Sequence, residues 1–251
     1  YAYPVFVSMK AASSAHPDRV LDLAPGHKSG LQLVSPLLAA SGCWGFANEY
    51  SDLIEFGLLG ALITNPISWH PRQPSRGKHV LSLTSGVALH TGIPNPGFRA
   101  ALQRFGPKWQ KMVCPIIIHL VLDDADQARK CVEQLEDIDN VLAIELGFHH
   151  KEDPRAAAAI IATAAQALLP VVVQSPFSRT SEFTALAEEA GAQAITVSAP
   201  PRAAMQSDNG ELCSDGRLYG CAMFAHTLQV VRELHDETSL PIIASGGIHS
   251  I

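Results

Sequence analysis

Seven short runs of the chain are apolar at nearly every position: "LLAAS" (37–41), "ALIT" (61–64), "PIIIHLV" (115–121), "VLAIEL" (141–146), "PVVVQ" (170–174), "AITVS" (194–198) and "PIIAS" (241–245). Runs this short and apolar on both faces predict parallel strands covered on each side. Between them the spacing changes to that of a helix. Phe98, Ala101, Leu102 and Phe105 stand at i, i+3, i+4 and i+7, between an Asn95-Pro96 start and a Gly106-Pro107 stop. Ala128, Cys131, Val132 and Leu135 repeat the pattern, as do Phe183, Leu186, Ala187 and Ala190 ahead of Gly191. Asp153-Pro154 opens a helix through "AAAAIIATAAQAL", and Phe224, Thr227, Leu228 and Val231 mark the last one.

Strand–helix alternation of this kind predicts an α/β fold with a parallel sheet and right-handed crossovers. No Gly-rich phosphate turn follows the first strand, which favours a (β/α)8 TIM barrel over a doubly wound open sheet. Seven units are visible, so the eighth strand and helix are expected to be missing from this chain. On this reading residues 1–20 form an N-terminal extension and residues 21–251 the barrel, truncated after strand seven. Both ends look cut: "YAYPVFVSMK" has neither an initiator Met nor a signal-peptide layout, and "PIIASGGIHSI" stops in mid-pattern.

Composition narrows the function classes. The 251 residues are 47% hydrophobic and 17% charged, enough for one large domain with a well-buried core. A net charge of −6, with scattered Lys and Arg, argues against a nucleic-acid partner. No apolar run has the length of a transmembrane segment. The five cysteines (Cys43, Cys114, Cys131, Cys213 and Cys221) include no CxxC pair. They read as reduced, mostly buried thiols of a cytoplasmic protein.

Seven segments, taken in order, resemble the dihydroorotate dehydrogenase family: "SPLLAASGCWGFANEY", "GALITNPISWHPR", "SGVALHTGIPNPG", "LAIELGFHH", "PVVVQSP", "EEAGAQAITVS" and "PIIASGGI". The resemblance covers roughly residues 20 to 251. It implies a TIM barrel holding FMN at the C-terminal mouth of its strands, and oxidation of dihydroorotate by hydride transfer to the flavin with the help of a base. Ala40, Ser41 and Gly42 match the turn under the flavin. Gly246 and Gly247 match the backbone grip on its phosphate, to which the family's eighth strand also contributes. Gly220 matches the glycine that opens the helix after strand six. Asn95 also keeps the family's residue, although a helix-cap role explains it.

The family's polar side chains are replaced one after another. The lysine after strand two is Asn65, and the strand-five lysine is Gln174. The substrate-binding asparagine of the "SGxLNxxG" loop falls on Leu89. Asparagines closing strands three and four are His119 and Gly147, the one after strand six is Ala199, and the serine of the "GLSG" turn is Tyr219, large enough to fill cofactor space. The lost contacts include two cations, which an anionic reduced flavin and an orotate carboxylate both need.

The family's base, a cysteine or serine, falls on His150. A histidine is a competent base near neutral pH, while the pair His149–His150 also reads as loop residues ahead of the next helix. A metal site from His119, His149 and His150 has no recognised spacing, so no metal ligands are assigned. Cys43 lacks a local base, and Trp44 and Phe46 are expected to cover the barrel end.

Three readings stay open. The chain is a non-catalytic homologue serving as a structural or interaction subunit, with a protein partner or as a homodimer. Or it is an FMN-dependent oxidoreductase acting on CH–CH groups, with an altered substrate and His150 as base. Or it is a phosphate- or metabolite-binding barrel without redox chemistry.

Overall fold

The computed structural model describes residues 4–8, 20–206 and 212–248. All seven apolar runs form strands: β1 (Leu37–Ala39), β2 (Ala61–Ile63), β3 (Ile116–Val121), β4 (Val141–Gly147), β5 (Val171–Gln174), β6 (Ala194–Val197) and β7 (Ile242–Ala244). Each pairs in parallel with the next, from β1–β2 through β6–β7. The eighth place, expected to be vacant, is held by Pro4–Ser8, which runs antiparallel to both β1 and β7. The exposed edges of β1 and β7 carry unpaired amides and carbonyls, and an extended segment satisfies both at once. Most of the remaining extension, and the Cys213 side chain, lie outside the described residues.

Strand parity divides the core into two layers. Ile116, Ile118, Ile144, Leu146, Val171, Val173, Ile195 and Ile242 face outward into the main core cluster, against the helices. Leu38, Ala61, Ile63, Ile117, Ala143, Val172, Ala194 and Ile243 face inward and fill the barrel. Its base is plugged by a two-stranded hairpin, Leu21–Asp22 with Gln32–Leu33, that contributes Leu23, Leu31 and Leu33 to the same cluster.

Among the described residues, five helices wrap this barrel: α1 (Phe98–Trp109), α2 (Ala125–Leu135), α3 (Pro154–Ala164), α4 (Thr180–Glu189) and α5 (Met223–Glu237). The sequence signals hold best for α2 and α3. Asp124 accepts a hydrogen bond from the Gln127 amide, and Asp153 accepts from Arg155 and Ala156, with Pro154 in the first turn. Helix α1 departs from expectation, since its N-cap is Gly97 and Pro107 lies inside its last turns. Asn95 instead accepts from the Ser68 and Gly97 amides and donates to the Ser68 hydroxyl and the Ile93 carbonyl, tying two loops together. Helix α5 also departs: Phe224 and Leu228 are 44% and 58% exposed, and its buried residues are Thr227 and Leu234. Trp44 and Phe46 pack toward the helical layer, Phe46 stacking on Phe105 of α1 at 5.0 Å. Among the described residues no helix is long and apolar enough to cross a membrane.

A second, four-stranded antiparallel sheet went unrecognised in the sequence. Its strands are ordered Arg202–Gln206, Leu212–Tyr219, Gly86–Leu89 and Val80–Leu83. Of the segment 207–220, residues 207–211 lie outside the described residues, and 212–219 are a strand.

The inward layer sets the stability of the barrel. Ile117→Ala, which empties a fully buried site, should cost about 2–5 kcal/mol in urea unfolding, with an unchanged m-value.

Candidate functional site

The barrel interior changes character toward the C-terminal ends of the strands. Below, the inward positions are Ile117, Ala143, Val172 and Ala194. Two residues further along the same strands they become His119, Glu145, Gln174 and Thr196. Glu145 is fully buried and His119 nearly so. The His119 Nδ1 lies 2.5 Å from Glu145 Oε2, and the Thr196 hydroxyl donates to Glu145 Oε1 at 2.6 Å. The His119 amide donates to the Thr64 hydroxyl oxygen at 3.0 Å. The register makes this possible, because Glu145 stands directly opposite His119 across the β3–β4 pair.

Gly147 belongs to the same unit. A Cβ there would collide with His119 Nε2, so the glycine leaves room for the imidazole. The two positions read as separate losses of asparagine are therefore one packing solution. Glu145 and Thr196 were not singled out from sequence. Their one signal was a lone Glu at an inward position of an otherwise apolar strand.

Next to this polar layer lies a pocket of about 600 Å³, counted to its open mouth. Five of the sequence-derived cofactor residues line it: Ala40, Ser41, Gly220, Gly246 and Gly247. Gly42 does not; it sits in the following turn at φ +86°. Gln174, Ser198, Ala199, Tyr219, Thr227 and Cys43 complete much of the wall. Ser41 is oriented by a hydrogen bond from its hydroxyl to the Thr64 carbonyl, at 2.9 Å. Burial pushes the Tyr219 phenol up to about 12, which keeps it neutral.

The residues present fit one end of FMN and not the other. Gly246 and Gly247 adopt φ of +118° and +74°, open to glycine alone at little cost. A Cβ on Gly247 would run into the Phe224 amide in the first turn of α5, and one on Gly246 would meet Thr227 Oγ1 at 3.1 Å. This close approach of a loop to a helix N-terminus suits a phosphate. Among the described residues, the ring end of the pocket wall contains no charged side chain, and Gln174 stands where the resemblance implies a lysine. FMN, when bound, supplies hydride-accepting chemistry, but nothing in this wall would offset a negative charge on its reduced form. Asn65, at the other lysine position, keeps a buried Oδ1 without a hydrogen-bond partner.

His150 lies outside this pocket wall. It follows β4 in a short loop, its ring 4.1 Å from that of His149. Burial lowers its pKa below the ordinary histidine value, and the charges of His149, Arg202, Lys151 and Arg217 add to the effect. The imidazole is thus held neutral near pH 7, as a base requires. Its neighbours are basic residues, and its Nδ1 is buried without a partner.

Comparison with known proteins places this geometry in context. The profile for dihydroorotate dehydrogenase matches residues 27–251. The catalytic subunit of the NAD(+)-dependent dihydroorotate dehydrogenase B of Bacillus pumilus is 28% identical over 238 residues, covering 88% of this chain and 77% of that protein. Its counterpart in Streptococcus pneumoniae is 28% identical over 242 residues, covering 88% and 78%. That of Geobacter sulfurreducens is 22% identical over 249 residues, covering 92% and 80%.

Two outcomes follow from the polar layer and the loop. Glu145→Ala strips a buried pair of one member and should cost about 3–5 kcal/mol in denaturant unfolding, while Glu145→Gln, which keeps an acceptor for Thr196, should cost less. His150 has a lowered folded pKa, so the unfolded chain takes up its proton first. Its contribution to stability is full above the ordinary value of 6.5 and is lost as pH falls from there through the folded midpoint. Unfolding midpoints measured across that range should fall less steeply with acid in His150→Gln than in the wild type.

Proposed function

The chain belongs to the dihydroorotate dehydrogenase family, and we propose that within it this barrel does not oxidise dihydroorotate and serves as a structural or interaction subunit. The observation that carries this reading is the buried His119–Glu145–Thr196 unit. It occupies the level of the barrel at which the resemblance implies asparagines facing the substrate. Those positions now satisfy one another and present no amide to a ligand. Leu89 offers no hydrogen bond either, and lies in a strand paired with Leu212–Tyr219.

The uncharged pocket wall supports the same conclusion from the redox side. Reduction of a bound flavin builds negative charge, and each missing charge-assisted hydrogen bond removes about 1.5–3 kcal/mol of stabilisation. With both lysine positions occupied by amides, a reduced flavin is poorly held. The relatives named above are each a catalytic subunit, by name one part of a larger enzyme. A barrel that keeps the fold and loses the chemistry retains a use as such a part.

One observation favours a second reading. The phosphate end, with Gly246 and Gly247 against α5 beside Gly220, is still open. An FMN-dependent oxidoreductase with another substrate and His150 as base would use this end of the pocket.

Visible absorption separates the two. The purified full-length protein should be colourless and, after incubation with excess FMN and gel filtration, should retain far less than one flavin per chain. Retention of one flavin per chain, released on heating, would overturn the non-catalytic reading in favour of the oxidoreductase.

A further inference from the structure

We infer that the outer flank of α1 and the turn Phe56–Leu58 form a docking surface for an acidic, amphipathic helix of a partner protein; this rests on the reading of the barrel as an interaction subunit. Residues 56–122 contain no Asp or Glu and seven Lys and Arg, although the chain as a whole carries a net charge of −6. Four of the seven, Arg99, Arg104, Lys108 and Lys111, are exposed on α1 or just past its end. Arg104, Lys108 and Lys111 stand at i, i+4 and i+7, so they share one flank of the helix. Phe98, Ala101, Phe105 and Trp109 bury its inward side.

Local stability does not account for this charge. Lys108 in the last turn suits the helix dipole, but Arg99 in the first turn opposes it. Among the described residues, none of the four cations is in an ion pair. The exposed Asp137 and Asp139 do not pair with them either, although Asn140 ties that turn to α1 by donating to the Trp109, Met112 and Cys114 carbonyls. Arg104 and Lys108 rest over the Phe105 ring, 5.1 and 5.6 Å from its centroid, which limits the freedom they would lose on binding.

An apolar pair adjoins the cations. Val113, two residues past Lys111, is 82% exposed, and Leu58 is 63% exposed. Val113 Cγ1 lies 3.7 Å from where a Cβ on Gly57 would stand, so the two segments meet at the surface. A partner helix with carboxylates at the same spacing and an apolar side chain beside them matches both features. A nucleic acid or an anionic membrane would meet the net negative charge of the whole chain, which repels it.

The probe is a labelled synthetic helix of about 20 residues, with Glu at i, i+4 and i+7 and Leu beside them. It is titrated with the purified full-length protein by fluorescence anisotropy, at about 50 and about 300 mM NaCl. We expect binding that weakens at the higher salt, and a further loss of roughly fivefold or more in the double variant Lys108→Glu, Lys111→Glu. No binding to the wild type below about 1 mM would overturn the proposal, and that result needs no variant. So would equal binding by the double variant, or tighter binding of single-stranded DNA of the same charge. Retention of flavin would overturn the interaction-subunit reading and leave this titration unchanged, so the two failures are distinguishable.

Discussion

The upper half of this barrel depends on the burial of one carboxyl group. Glu145 points into an apolar cylinder where an unpaired carboxylate would be prohibitively expensive. It is sustained by His119 on one oxygen and Thr196 on the other. Those partners come from strands on either side of it in the barrel, so the unit holds β3, β4 and β6 in one register. The need to seat the imidazole then fixes glycine at 147. One buried polar group thus determines four positions.

The two ends of the site have consequently separated. One end is made of backbone, and backbone geometry survives side-chain replacement as long as Gly246 and Gly247 persist. The other end is made of side chains, and there His119, Glu145 and Thr196 bond to one another. His150, whose pKa burial lowers, lies outside the pocket wall.

Much of the fold was legible because burial on both faces leaves an unmistakable apolar run, and every barrel strand carries one. The second sheet was not, since Val80–Leu83 and Gly86–Leu89 have only four residues each and Asp215 and Gly216 stand in the middle of Leu212–Tyr219. Asn95 misled for a physical reason: its side chain does bind the Gly97 amide, but from two residues before the helix, as a loop clasp. The α5 stripe misled because spacing reports which residues share a face and not what lies opposite that face. At the site, glycines needed for their backbone were readable one by one. Glu145 was not, because a glutamate in a strand carries meaning only with its cross-strand partners known.

The most direct test is the conversion of dihydroorotate to orotate by the purified full-length protein, with FMN in excess and an electron acceptor supplied. The account predicts no orotate above the rate without protein. Orotate formed in proportion to protein concentration would contradict it, and would mean that the His119–Glu145–Thr196 unit opens to admit substrate.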